Sequence, residues 1–504
     1  MSARPWTEAA VCAALGLGAP EEDGLAHGAV STDTRTLAEG DLFVALRGER
    51  HDGHDHLADA AAAGATGAVV ERLPDGAPGT LRYYRVDSTL AALGRLGRCR
   101  RRVVGARVCV VAGSNGKTTT KDLLRAVLGA RYRVHATTGN LNNQIGVPLT
   151  LLATPSDTEV VVAEVGTNIP GEVAEIAAIC EPDAAIITSV SAEHLEGLGS
   201  LDGVLREETS IVSWLPAGAP AVVTDEPAAL AERVRALHDA VTVAGTGSGA
   251  PPEARGSQVA LDGEGRVSFT WRGRQVQLQL RGRHNAGNAL LALELGQAWG
   301  VDPDAAVAAL RELPASAMRG EMHRYGSLTV VADCYNANPG STAAALELLV
   351  GLPRVGGRVA VLGSMLEMGA ESDAVHAEAA RQAAAHDVDL IVATGAFVAA
   401  FEPLRDELGE RLLTAADAEA VWEPLSERLG GTETVLLKGS RGVALERLLP
   451  RLEQLGMGVL HPHGEAHGPR ASMTRTGERD EAHPAERPHP GTSAGAGGAT
   501  DTEG

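Results

Sequence analysis

The sequence predicts an α/β protein of three domains, the central one a parallel sheet that carries a phosphate-binding loop. Three observations predict this. At 504 residues the chain is too long for a single hydrophobic core. Short apolar runs such as "VCVVA", "TEVVVAEVG" and "PDAAIITSVS" alternate with helical stretches, the pattern of strands buried on both faces of a sheet. Between one such strand and a helix lies a glycine turn, "AGSNGKTTT".

Taken in order, Thr7 followed by Glu8 reads as the cap and first turn of an opening helix. "GDLFVALRG", "DHLADAAAAGA" and "TGAVVERL" then read as strand, helix and strand. The basic stretch "LGRLGRCRRRVVGA" closes a first domain over residues 1–105. The second, 106–314, opens with "VCVVAGSNGKTTTKDLLRAVLGA" as strand, turn and helix. It ends with a polar β-rich stretch, "GRVSFTWRGRQVQLQL", and the helix of "HNAGNALLALELGQAWG". A third, 315–456, follows the lead-in "LPASAMRGEMHRYG" and has four strands: "LTVVADCY", "RVAVLGSM", "VDLIVATG" and "ETVLLKGS". From 457 to 504 the chain is rich in Gly, Pro, Ala, His and charge. It has too few apolar residues to bury a core and reads as a disordered tail.

A net charge of −21 argues against a nucleic-acid partner, which needs a basic surface. No apolar run reaches the roughly 18 residues of a membrane span. The five cysteines are odd in number and scattered, which suits reduced thiols in a cytoplasm. Only Lys117, Lys121 and Lys438 are lysines, among 44 basic residues. Each is therefore a candidate for a place where a compact ammonium is needed.

Within "AGSNGKTTT", Gly113 and Gly116 allow the backbone of Gly113, Ser114, Asn115, Gly116, Lys117, Thr118 and Thr119 to curl around phosphate oxygens. Lys117 would reach the outer phosphates and Thr118 would offer its hydroxyl to Mg²⁺. Lys121, one turn later, reads as a solvated helix residue. Glu164 ends a strand, where a metal-binding acid or an ordinary strand-end acid serves equally well. Asn140, Asn142, Asn143 and Gln144 form an amide cluster that can donate to phosphates, or simply make a turn. His284, Asn285 and Asn288 open a helix. Arg319 precedes a strand that ends at Asp333, and Asn336 and Asn338 follow in a turn. Arginine suits the charge of a phosphoryl group in transfer, and an acid can hold ribose hydroxyls. Lys438, Ser440 and Arg441 form a further strand-to-helix turn.

In "HLEGLGSLDGVLREETSIV", four acids follow His194: Glu196, Asp202, Glu207 and Glu208. They can be a metal site or the wet face of a helix.

Together these motifs resemble those of the Mur ligases of bacterial cell-wall synthesis. The residues that carry the resemblance are "STDTRTLAEGDLFVALRGERHDGHDH", "GSNGKTTTK", "TGNLNNQIGVPLTLL", "HLEGLGSL", "GRHNAGNAL", "DCYNANPGS", "VLGSMLEMG" and "LLKGSRG", spread over about residues 30 to 450. The resemblance implies an N-terminal domain for the UDP end of the acceptor, a central ATPase domain and a C-terminal Rossmann-like domain for the amine. Within the family, "NLNNQIGVP", "YNANP" and "KGSR" resemble the branch that adds D-Ala-D-Ala to UDP-N-acetylmuramoyl-tripeptide, and the "DNPR" signature of another branch is absent. The implied reaction forms an acyl phosphate from ATP and the peptide carboxylate, which the dipeptide amine then attacks. ATP and Mg²⁺ are the implied cofactors, and a UDP-activated muramoyl peptide and a dipeptide amine the partners of a monomer.

By this resemblance, Lys117, His194, Glu208 and Arg319 are catalytic, and Thr118, Glu164, His194 and Glu208 hold metal. The nucleotide would lie among His284, Asn285, Asn288, Arg319, Asp333 and Asn336. Substrate would meet Ser31, Thr32, Asp33, Thr34 and Arg35 at the UDP end. Elsewhere it would meet Asn140, Asn142, Asn143, Tyr335, Asn338, Lys438, Ser440 and Arg441. The chain departs from the family at Glu208, where relatives carry a lysine that CO₂ carbamylates. Ala332 and Ser364 also stand where aspartates are usual. Glu208 brings the carboxylate charge on a shorter side chain, and the remaining acids after His194 read as loop and helix-surface residues. These departures also fit a family member that forms a different amide bond.

Overall fold

A computed structural model describes residues 6–20, 24–48, 51–315 and 317–458. The predicted opening helix runs Glu8–Leu15, and Thr7 caps it by accepting the Ala10 amide at 3.2 Å. Four parallel strands follow in chain order: Val30–Ser31, Leu42–Val44, Gly67–Val70 and Arg82–Arg85. Helix Thr89–Val104 carries the basic stretch. It lies close against the central domain, because Gly97 has no Cβ to strike Pro148.

The central sheet has six parallel strands in the order Val241–Ala244, Ala221–Thr224, Ala184–Ile187, Arg107–Ala112, Val160–Glu164 and Val134–Ala136. Separate apolar clusters cover its two faces, so its strands are largely apolar rather than alternating. Strand Arg107–Ala112 sits between two strands that come later in the chain. The order reverses around it, and such a point opens a crevice at the carboxyl ends of the strands. The β-rich stretch forms an antiparallel sheet of Ser257–Leu261, Arg266–Trp271 and Arg274–Arg281. In its last strand Val276, Leu278 and Leu280 point inward and the intervening glutamines outward.

The C-terminal sheet has six strands where the sequence shows four. Its order is Glu321–Tyr325, Leu328–Asp333, Thr434–Lys438, Arg358–Leu362, Leu390–Thr394 and Leu412–Ala415, with only the first antiparallel. The two extra strands lie at the edges. Glu321–Tyr325 buries none of its residues fully, which is why its polar text reads as a lead-in. The last helix among the described residues is Leu449–Gly456. The tail expected over 457–504 falls, apart from Met457 and Gly458, outside the described residues. Among the described residues no helix is long and apolar enough to cross a membrane, and all five cysteines are free.

Candidate active site

A cleft of about 880 Å³ opens at the carboxyl ends of the central strands, and residues of the C-terminal sheet's loops form its other wall. Its floor is the glycine loop after strand Arg107–Ala112. Gly113 (φ 118°) and Gly116 (φ 80°) both need left-handed backbone. A Cβ on Gly113 would strike Thr188, and one on Gly116 would strike the side chain of Asn288. The segment after strand Ala184–Ile187 straps the loop. The Ser114 amide donates to Ser189 O at 2.9 Å, and the Asn115 amide donates to Ser189 Oγ at 2.8 Å. Lys117, first in helix Lys117–Gly129, folds back so that Nζ donates to Gly113 O (2.5 Å) and Ser114 O (3.2 Å).

Three buried carboxylates surround this ammonium. Glu164, 3% exposed at the end of its strand, accepts Asn142 Nδ2 at 3.0 Å through Oε1, while Oε2 has no hydrogen-bond partner. Glu193, also 3% exposed, has Oε1 3.6 Å from Lys117 Nζ and likewise without a hydrogen bond. Burial pushes its pKa up to about 7 despite Lys117, and Glu208 adds to the rise. Glu208, 1% exposed, accepts the Gly113 amide at 2.7 Å. Burial raises its pKa too, against the pull of Lys117 and of that amide. Burial works against the Lys117 charge, but Glu193, Glu208 and Glu164 outweigh it and hold its pKa above the ordinary value.

With all four ionised, the cluster carries two negative charges in excess before any phosphate arrives. Its two carboxylate oxygens without a hydrogen bond, Glu164 Oε2 and Glu193 Oε1, are hard donors, so the residues fit a divalent cation such as Mg²⁺. Among the described residues no three His, Cys, Asp or Glu form a complete metal cage. Mg²⁺ does not require one, since it keeps waters and takes ligands from phosphates.

His194 lines the cleft beside Glu193, with Nε2 3.9 Å from Glu193 Oε2 and Nδ1 bonded to Glu367. Burial and the Lys117 charge lower its pKa, which favours neutral imidazole. From the far wall, Arg319 donates Nη2 to Thr118 Oγ1 at 3.0 Å, and its guanidinium lies 4.2 Å from the Tyr335 ring centroid. Asn338 caps helix Pro339–Gly351 and donates Nδ2 to Asn115 Oδ1 at 2.8 Å. Asp333 pairs with buried Lys438 at 3.0 Å, and Lys438 Nζ donates to Asn336 O at 2.8 Å. His284, Asn285 and Asn288 line the cleft from the start of helix His284–Ala298. There Asn288 donates to Asn285 Oδ1 at 2.9 Å.

This phosphate loop, reached by side chains of the following α/β domain, has its match among known proteins. Residues 28–98 match the description "Mur ligase family, catalytic domain", 111–296 "Mur ligase middle domain" and 318–441 "Mur ligase, glutamate ligase domain". The chain belongs to the Mur ligase family. Curated relatives of this Mur ligase include the UDP-N-acetylmuramoyl-tripeptide–D-alanyl-D-alanine ligases of Bacillus subtilis and Escherichia coli. The first is 34% identical over 86% of this chain and 94% of the relative, the second 35% over 85% and 94%. Among solved structures, MurF from Acinetobacter baumannii is 29% identical with a TM-score of 0.80, covering 90% of this chain and all of that one. MurF ligase from Thermotoga maritima in complex with ADP is 26% identical with a TM-score of 0.74, covering 85% and 98%.

Several sequence expectations for this Mur ligase need correction. Lys121 is buried rather than solvated, because Nζ donates to Thr137 O at 2.9 Å beneath the loop. Glu207 is no surface acid: it accepts the amides of Gly171 and Val173, each at 2.9 Å, at the start of helix Glu172–Cys180. Glu196 is exposed and Asp202 pairs with Arg206 one turn on, as the surface reading expects. Glu208 lies behind the loop and does not line the cleft, since its short side chain ends at Gly113 N. Asn140 and Asn142 face the cleft; Asn143 lines it too, but its Oδ1 accepts the Gly146 amide at 2.9 Å. Ser440 is buried in bonds to Asn336 and the Leu366 amide, and Arg441 meets Met318 and Glu446. Neither lines the cleft. Ser31, Thr32, Asp33, Thr34 and Arg35, expected at the UDP end in the first domain rather than in this cleft, form a turn there closed by the Asp33–Arg35 pair. No sequence pattern marks Glu193 or Glu367. A lone acid beside a histidine carries no spacing signal, and Glu367 arrives from another domain.

Proposed function

We propose that this protein joins D-alanyl-D-alanine to UDP-N-acetylmuramoyl-tripeptide, with ATP consumed to ADP and phosphate, in the cytoplasmic stage of peptidoglycan precursor synthesis. The supporting observation is the convergence of Lys117, the buried carboxylates Glu164 and Glu193, and Arg319 of the C-terminal domain on one cleft. The reaction must bring two anions, a peptide carboxylate and the ATP γ-phosphate, into contact. The carboxylate attacks phosphorus, the bond to ADP breaks, and an acyl phosphate results. The dipeptide amine, losing a proton, then attacks the acyl carbon and expels phosphate.

Each part of this chain has a role in that chemistry. The amides of Gly116 to Thr119 and the Lys117 ammonium hold the ATP phosphates. Arg319 lies across Thr118, where charge builds on the phosphoryl group in transfer. Thr118, Glu164 and His194 would hold Mg²⁺, which offsets the charge of the two anions. His284, Asn285, Asn288, Asp333 and Asn336 take the nucleotide. Asn140, Asn142, Tyr335, Asn338 and Lys438 face the substrates, and the turn at Ser31 to Arg35 takes the UDP end. Glu208 supplies a permanent carboxylate behind the loop, in the position where relatives build one on lysine.

The test is phosphate release from ATP in the presence of UDP-N-acetylmuramoyl-tripeptide, with and without D-Ala-D-Ala. Release that depends on the dipeptide is expected. Normal ATP binding without turnover on this pair would reject the assignment. It would favour a family member that forms another amide bond, which the departures at Ala332, Ser364 and Glu208 would then explain.

A further inference from the structure

Asn338, Arg319 and Glu367 of the C-terminal domain contact the segments that build the phosphate site. Asn338 and Arg319 meet the loop itself, at Asn115 and Thr118. Glu367 goes elsewhere: from the loop after strand Arg358–Leu362 its carboxylate meets His194 Nδ1. The main chain reinforces this contact. The Glu196 amide donates to Glu367 O at 3.3 Å, and a Cβ on Gly369 would press on the backbone of Glu196.

His194 (φ 49°) and Glu367 (φ 64°) both adopt left-handed backbone. Residues with a side chain rarely do so, and where they do, the surrounding contacts hold them there. Here two such residues face each other across a domain boundary. A neutral imidazole offers one lone pair, and a carboxylate on Nδ1 keeps the proton there and frees Nε2 for a cation. Nε2 is the nitrogen on the Glu193 side.

We propose that Glu367 is a positioning residue for His194. By holding Nδ1–H it turns Nε2 toward the divalent cation, and it does so only when the C-terminal domain is seated. The inference rests on the reading of His194 as a metal ligand. A pair this exposed, 18% and 54% at its two side chains, adds little to stability. Its effect lies in orientation.

The test uses the full chain with ADP and Mn²⁺ in place of Mg²⁺, with free Mn²⁺ followed by electron paramagnetic resonance. Glu367→Ala should weaken Mn²⁺ binding about tenfold or more, the usual effect of losing a carboxylate behind a metal-binding histidine. Glu367→Gln, which keeps an acceptor, should fall between, and both should melt with the parent. His194→Ala should also weaken binding, and adding Glu367→Ala to it should change nothing further. Normal Mn²⁺ binding by Glu367→Ala beside a weakened His194→Ala would overturn the inference alone. So would an equal loss in both backgrounds, or a loss that tracks melting in both Glu367 variants. Normal binding by His194→Ala would overturn the metal reading and this inference with it.

Discussion

Replacing Glu208 by glutamine removes one charge from beneath the phosphate loop while keeping the side chain's shape. The Gly113 amide donates to Glu208 Oε2 at 2.7 Å. A bond of this kind to a charged acceptor contributes about 1.5–3 kcal/mol, against about 0.5–1.5 for a neutral one. Glutamine also brings an NH₂ group into a site where the side chain is 1% exposed, and a buried donor without a partner costs about 1–3 kcal/mol. Burial already disfavours the ionised carboxylate, which offsets part of the loss. The net is about 2 kcal/mol, which lowers kcat/KM for ATP about 30-fold if it falls on the loop. The assay is dipeptide-dependent phosphate release in CO₂-free and in bicarbonate-supplemented buffer. The parent should perform equally in both, because its carboxylate is built in. Glu208→Lys should be inactive without CO₂ and recover with bicarbonate. A parent that fails without CO₂, or a glutamine variant within twofold of it, would refute the reasoning.

Arg319→Ala should lower kcat about 100-fold or more, as loss of a transition-state donor does. Arg319→Lys should not restore it, since lysine lacks the planar fork that meets Thr118 and Tyr335; an unchanged kcat would exclude the role. Glu207→Ala leaves the Gly171 and Val173 amides unpaired and should cost about 2–3 kcal/mol in urea unfolding, and a loss below about 0.5 would contradict the capping role. Glu193 has its folded pKa raised from 4.5 to about 7, so its contribution to stability is full below 4.5 and lost as pH rises through 7. The ligand-free parent should therefore lose up to about 3 kcal/mol relative to Glu193→Gln between pH 5 and 8 in denaturant titrations, and parallel curves would show that the group does not titrate there.

The strands of the central sheet were legible because burial on both faces demands uninterrupted apolar residues, as in "VCVVA". The phosphate loop was legible because left-handed backbone demands glycine at Gly113 and Gly116. The edge strands Glu321–Tyr325 and Leu412–Ala415 were not, since a partly exposed strand needs no apolar run. The acids after His194 show the limit most clearly. Their count and spacing can be read in the chain, but their partners cannot.

Local sequence thus determined the apolar strands, the glycine turn and the family motifs, because each depends on neighbours within a few residues. Tertiary structure decided what Glu207 and Glu208 do. Successive residues on a helix point about 100° apart, so these two reach different loops, Glu207 the start of helix Glu172–Cys180 and Glu208 the phosphate loop. It also decided that Lys121 is buried and that Glu367 meets His194. Those contacts join segments far apart in the chain, where no local pattern records the partner.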